Sequence, residues 1–197
     1  VEDEYYINQL GVGLCVLDND SIKSLPHVSH FRNTRIYDIV PYQQDQMLVL
    51  TGESGIYSFY RRTKSDLIDE VKIKLNVSVG KLQPYNGSLL PGHLLAIGTW
   101  GNGLILTDSS GELIQEVNFK AGLQDEVVNA QFLDKQGNLW LALSNGISKI
   151  SFRKGLAKFG NEENLKETIE DIQLFEDELY VATHTGVYYW NNHGKRG

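Results

Sequence analysis

The sequence holds one cysteine, Cys15, so no disulfide can close within the chain and no paired-cysteine metal site can be built. That leaves the redox compartment open. Cys15 lies in the apolar run Leu14-Cys15-Val16-Leu17 and reads as a small buried hydrophobe. Positive charge is also scarce. Lys and Arg number 18 against 25 Asp and Glu, for a formal net charge of −7 in 197 residues. Nucleic acid and anionic membrane both require clustered Lys and Arg, so neither is expected as a partner. Arg61-Arg62 with Lys64 and the terminal Lys195-Arg196 are the only basic clusters, and both read as solvated surface. No apolar run approaches the ~18 residues a membrane helix needs, and Val1-Glu2-Asp3-Glu4 has no signal-peptide pattern. This segment should not touch a membrane. The absence of an initiating Met suggests a piece of something longer.

Catalytic signatures are missing too. There is no Gly-rich phosphate loop, no G-x-S-x-G and no H-E-x-x-H, and no cofactor is expected. His27 and His30 fall in a segment that reads as strand or loop, where they would face opposite sides; this argues against a shared metal. Asp18-Asn19-Asp20 lacks the spaced ligands of a calcium loop and fits a turn after a strand. Carboxylates are scattered, and paired acid and base residues are set by space rather than by spacing. Asp177-Glu178 fills the turn position that Gln136-Gly137 fills one repeat earlier.

What the chain does have is a strong pattern over residues 122–150, GLQDEVVNAQFLDKQGNLWLALSNGISKI. Apolar runs at 127–133, at 139–143 and from Ile147 are separated by Asp134-Lys135-Gln136-Gly137-Asn138 and by Ser144-Asn145-Gly146. Gly and Asn supply the positive φ angles of hairpin turns, so the reading is strand, turn, strand, turn, strand. Weaker copies surround it. A turn glycine followed by an aliphatic residue recurs at Gly13-Leu14, Gly55-Ile56, Gly103-Leu104, Gly146-Ile147 and Gly186-Val187. A period of about 40–50 residues with several short strands per unit is the signature of a β-propeller.

The run 139–143 does not alternate, so both its faces must be buried, as they are when blades stack around an axis. Small residues recur before the turn, at Gly98, Ala142 and Ala182, with Thr51 in the second copy, and suggest close blade-to-blade approach. A further strand is expected upstream of each central one, at 35–40, 77–82, 127–133 and 168–175. More polar outer strands are expected at 67–75 and 112–119, giving four per unit. The acidic stretch 161–164 reads as loop. The first unit is expected to lack its innermost strand and the last its outermost, after Trp190. Closed propellers typically have 4–8 blades, so the expected architecture is all-β, about four to five blades of a larger six- to eight-bladed ring spanning residues 1–197. The remaining blades of that ring are then its first partners.

Residues 122–150 resemble the repeat of the two-component regulator propeller family, GLP-x-N-x-V…D-x-x-G-N-L-W-I-G-T-x-x-G-L. The matching positions are Gly122-Leu123, Val127-Val128, Asp134, Gly137-Asn138-Leu139-Trp140 and Gly146-Ile147. Residues 97–104, IGTWGNGL, look like the longer turn variant, and Leu10-Gly11-Val12-Gly13-Leu14 is a fainter copy. Ala142-Leu143 stands where Gly-Thr is usual, and Gln124-Asp125-Glu126 where Pro and Asn are usual. The resemblance implies a periplasmic, non-enzymatic sensor segment of a bacterial hybrid two-component system. Its parent would be an inner-membrane histidine kinase, acting as a homodimer. Many such receptors in gut Bacteroidetes respond to oligosaccharides. The alternatives are a carbohydrate-active propeller lyase or hydrolase, and a structural propeller in a surface or secretion complex.

In a four-stranded blade, the turn between the second and third strands opens on the same face as the loop entering the first. That face should gather Glu53 and Ser54, Trp100 and Asn102, Ser144 and Asn145, and His184 and Thr185. Arg35, Asn76, Asp125 and Glu126 join them from the entering loops. The expected ligand-binding set is Trp100, Asn102, Arg35, Glu53, Asn145 and His184. An indole on a Gly-bounded turn can stack on a sugar ring while Asn and Arg bond its hydroxyls. The blander role for Trp100, and the commoner one, is packing on the neighbouring blade. Trp140 and Trp190 read as packing residues.

Overall fold

A computed structural model of the chain describes residues 5–18, 20–25, 31–42, 46–52, 55–60, 68–70, 82–152, 155–159, 167–176, 178–191 and 194–196. The chain forms five antiparallel sheets, each a meander of consecutive strands. Unit one holds β1 (Tyr5–Gln9), β2 (Gly13–Asp18) and β3 (Ser21–Ser24). Unit two holds β4 (Ile36–Pro41), β5 (Gln46–Thr51), β6 (Gly55–Tyr60) and β7 (Ile68–Glu70). Unit three holds β8 (Pro84–Leu90), β9 (Leu94–Thr99), β10 (Leu104–Thr107) and β11 (Leu113–Val117). Unit four holds β12 (Val128–Leu133), β13 (Asn138–Leu143), β14 (Ile147–Ser151) and β15 (Gly155–Phe159). Unit five holds β16 (Ile169–Phe175), β17 (Glu178–Thr183), β18 (Gly186–Asn191) and β19 (Gly194–Arg196).

The first strands β4, β8, β12 and β16 pack side by side, and β5, β9 and β13 each lean on the first strand of the next unit. This is the blade stacking of a β-propeller. As expected, β1 has the place of a second strand, because its hairpin with β2 carries Gly13 at the position of Gly55 and Gly186. Two expectations are corrected. The inner strand of unit three is β8, not residues 77–82; Gln83, at φ 47, turns the chain just before it. Unit five does have its outermost strand, because Tyr189, Trp190 and Asn191 pair with β19.

The core lies between units rather than within them, which explains the unbroken apolar runs. Leu48 and Leu50 pack with Leu95, Ile97 and Ile105 of unit three, while the intervening Val49 packs with Leu14 and Phe31 on the other side. Leu139, Leu141 and Leu143 face unit three, and Ala142 faces unit five. Each fully buried aliphatic side chain is worth about 1.5–3 kcal/mol relative to exposure. Both faces of the second strand are therefore needed. Cys15 is buried at 1% exposure, as its apolar run predicts. Gly98 shows why small residues recur: a Cβ there would collide with Asn86 Oδ1 and lie 2.8 Å from Val128 Cγ1 of the next unit.

The D-x-x-G-N-L-W segment has a local cause. Asp134 accepts from the backbone N–H groups of Gln136 and Asn138 and from Asn138 Nδ2 and Trp140 Nε1, while Gly137 sits at φ 78. Burial raises the Asp134 carboxyl's pKa, but these donors outweigh it and hold the group below the usual carboxylate range. Trp140 is half-buried, resting on the core between units four and five with the Lys149 ammonium 4.5 Å above its ring.

Candidate functional site

Each described first strand carries a bulge at the same place. Pairing with the second strand shifts between Ile36 and Asp38, Pro84 and Asn86, Val128 and Ala130, and Ile169 and Asp171. A bulge leaves one residue outside the ladder and re-aims its side chain. The four residues are Tyr37, Tyr85, Asn129 and Glu170. Three of them reach the turn between the second and third strands of their own unit. Tyr37 lies against Gly52, where a Cβ would sit 2.8 Å from its ring. Tyr85 meets Trp100 edge-on at 5.2 Å. Glu170 pairs with His184 Nε2 at 3.0 Å. Asn129 instead donates to the Ile169 carbonyl at 2.6 Å.

On units two and three this builds one aromatic surface. The Arg35 guanidinium lies 5.0 Å from the centre of the Tyr37 ring, and Tyr37 and Tyr85 are 5.0 Å apart. A depression of about 410 Å³ is lined by Arg35, Tyr37, Gly52, Gln83, Pro84, Tyr85 and Trp100. A second, of about 350 Å³, shares Arg35, Tyr37 and Tyr85 and runs along the first strands to Asn129 and Gln131. Trp100 is 53% exposed, so its indole is not sunk into the neighbouring blade. Its backbone ties the units instead, bridging to Val127, while Gly101 and Gly103 donate to the Glu126 carbonyl.

Arg35 and Trp100 are thus brought together. Asn102 and Asn145 are exposed on their turns, and His184 is engaged with Glu170; none of the three lines either depression. Glu53, Ser54, Asn76, Asn161, His27 and His30 lie outside the described residues, as does the side chain of Trp190. Asp125 and Glu126 are occupied with backbone, accepting from the N–H groups of Val127 and Phe119. Tyr37 and Tyr85 were not anticipated. Their signal is a Tyr followed by Asp or Asn in both inner strands, Tyr37-Asp38 and Tyr85-Asn86. Asp38 Oδ2 accepts from the Gly87 N–H at 2.8 Å and Oδ1 from Ile39. Burial pushes the Asp38 carboxyl above its ordinary pKa despite these bonds. Asn86 Nδ2 donates to the Val128 carbonyl at 2.8 Å, so the residue after each Tyr latches the next unit.

No protein-family model and no curated protein matches the chain. Solved structures do. An extracellular domain described as belonging to the hybrid two-component system BT3049 of B. thetaiotaomicron superposes with a TM-score of 0.81 at 14% identity. The match covers 96% of this chain and 26% of that one. The corresponding domain of BT4673 from the same organism gives 0.75 at 20% identity, over 98% of this chain and 28% of that one. Virginiamycin B lyase from Staphylococcus aureus gives 0.69 at 14% identity, over 97% of this chain and 64% of the lyase. These likenesses establish a propeller fold, and the chain spans about a quarter of the receptor domains it matches.

Proposed function

We propose that the chain is the ligand-recognising part of an extracytoplasmic sensor in a bacterial two-component system. On this reading it is periplasmic, non-enzymatic and carried by an inner-membrane receptor, and its ligand is an oligosaccharide. The observation that carries the proposal is the exposed aromatic surface of Tyr37, Tyr85 and Trp100 with Arg35 at its rim. The flat C–H face of a sugar ring loses water against such rings, while a guanidinium bonds its hydroxyls or a carboxylate in one plane. The likeness to receptor domains supports the sensor role.

Titration calorimetry with an oligosaccharide found by thermal-shift screening tests this. Trp100→Ala should weaken binding about tenfold or more, equivalent to about 1.4 kcal/mol, with an unchanged circular dichroism spectrum. Unaltered affinity would remove Trp100 from the site. The His184–Glu170 pair, at the same end of the blades, gives a lyase or hydrolase reading its foothold, since a carboxylate can poise an imidazole for proton transfer. Mass spectrometry of the bound glycan after long incubation separates the two readings. The sensor reading expects the glycan recovered intact.

A further inference from the structure

Lys149 and Arg35 both lie over aromatic rings, and the two differ in what neutralises them. The Lys149 ammonium stands 4.5 Å from the centre of the Trp140 ring, and Asp134 Oδ2 is 4.0 Å from its nitrogen. The Arg35 guanidinium stands 5.0 Å from the centre of the Tyr37 ring. It is exposed, and it has neither an ion pair nor a hydrogen bond among the described residues. A cation on a ring face keeps its charge, and a guanidinium also keeps a planar fork of N–H donors that fits two oxygens of one anion. In unit four the chain itself supplies the carboxylate. At Arg35 it supplies none.

The surroundings of Arg35 do not make up the deficit. Among the described residues it is the only cationic group lining either depression, and Asp38 is the only carboxylate. Asp38 is already committed, with Oδ1 accepting from the Ile39 N–H and Oδ2 from the Gly87 N–H, both at 2.8 Å. The amide groups of the second depression are committed too. Asn86 Nδ2 donates to the Val128 carbonyl, Asn129 Nδ2 to that of Ile169 and Gln131 Nε2 to that of Ala96. These polar groups hold the blades together, and the guanidinium is left over. The aromatic rings then give the surface a direction, because Tyr85 is 5.0 Å from Tyr37 and Trp100 is 5.2 Å from Tyr85. One end is charged and the other is apolar.

We infer, on the reading that this surface takes an oligosaccharide, that it selects an acidic one. The anionic substituent of one sugar ring, a carboxylate or a sulfate ester, binds Arg35 at the Tyr37 end. The rings that follow lie on Tyr85 and Trp100 and need carry no charge. Arg35 thus determines specificity, while Trp100 supplies affinity for acidic and neutral sugars alike. The chain's net charge of −7 repels an anion at long range, so the local guanidinium is what makes the surface attractive to one.

Titration calorimetry on the 197-residue chain tests this with matched pairs of oligosaccharides. Glucuronate- and galacturonate-containing chains are set against their carboxyl-reduced counterparts, and sulfated chains against the same chains desulfated. The acidic member of at least one pair should bind about tenfold or more tighter than its neutral partner. Which pair does so tells a carboxylate ligand from a sulfated one. In Arg35→Gln that ratio should fall to near one, with circular dichroism confirming the fold. Trp100→Ala should weaken both members of the pair and keep the ratio. Equal binding of acidic and neutral members, or a ratio that survives in Arg35→Gln, overturns the inference while the oligosaccharide reading stands. Binding of neither kind of oligosaccharide overturns both.

Discussion

Asp134 shows how much one side chain can organise. It ties the turn to the second strand through Asn138 and to the blade interface through the Trp140 indole. Asp134→Ala leaves those donors without an acceptor and should cost about 1–3 kcal/mol, read from urea denaturation at neutral pH. The pH dependence has a definite sign. Because the native pKa is depressed, this stabilisation is complete above the unfolded value of about 3.9 and disappears as pH falls through the lower native value. The gap between wild type and Asp134→Ala should therefore narrow in acid. A gap that widens there would contradict the assignment. Asp38 acts in the opposite sense. Its raised pKa means that its contribution is greatest below the unfolded value and lost as pH rises through the native one.

At the scale of elements, units two to four are wedges whose second strand is covered on both sides. Gly98 is where two wedges come closest, so Gly98→Val should destabilise by about 1–3 kcal/mol through overpacking against Asn86 and Val128. Thermal unfolding would show it as a lower melting temperature, and an unchanged one would mean that the blades can part there without cost. This crowding was readable in advance, because small residues recur at Gly98, Ala142 and Ala182. The strands themselves were readable for a similar reason. Hairpin glycines and non-alternating apolar runs are local consequences of turns and two-sided burial. The inner strand of unit three was missed because strand propensity at 77–82 says nothing of which segment pairs with β9, and pairing is non-local. The candidate site was half legible. Arg35 and Trp100 stand on turns whose position the repeat dictates. Tyr37 and Tyr85 owe their placement to a bulge, which is a pairing irregularity with no residue type of its own. Asn102, Asn145 and His184 share that turn position, but each unit presents its turn separately around the stack.

For the whole molecule, a stack of wedges ties the stability of each unit to its neighbours. Units two, three and four share a buried cluster with a neighbour on both sides, while units one and five share one on a single side among the described residues. Hydrogen exchange should then be slowest in β9, β10, β13 and β14 and faster in β1 to β3 and β18, read by mass spectrometry of peptides from each strand. Uniform protection would instead indicate a single cooperative block.

The bulge has a consequence for how such a protein can change. Positions 37, 85, 129 and 170 stand one to each of units two to five, outside the ladder and outside the buried clusters. A substitution at 37, 85 or 170 alters the end of the blades without removing a contact of the buried clusters. Tyr37 and Tyr85 touch and would change together, Glu170 is set apart with His184, and Asn129 is bound to the next unit. A lineage could retune what it recognises by single substitutions and keep the same scaffold throughout.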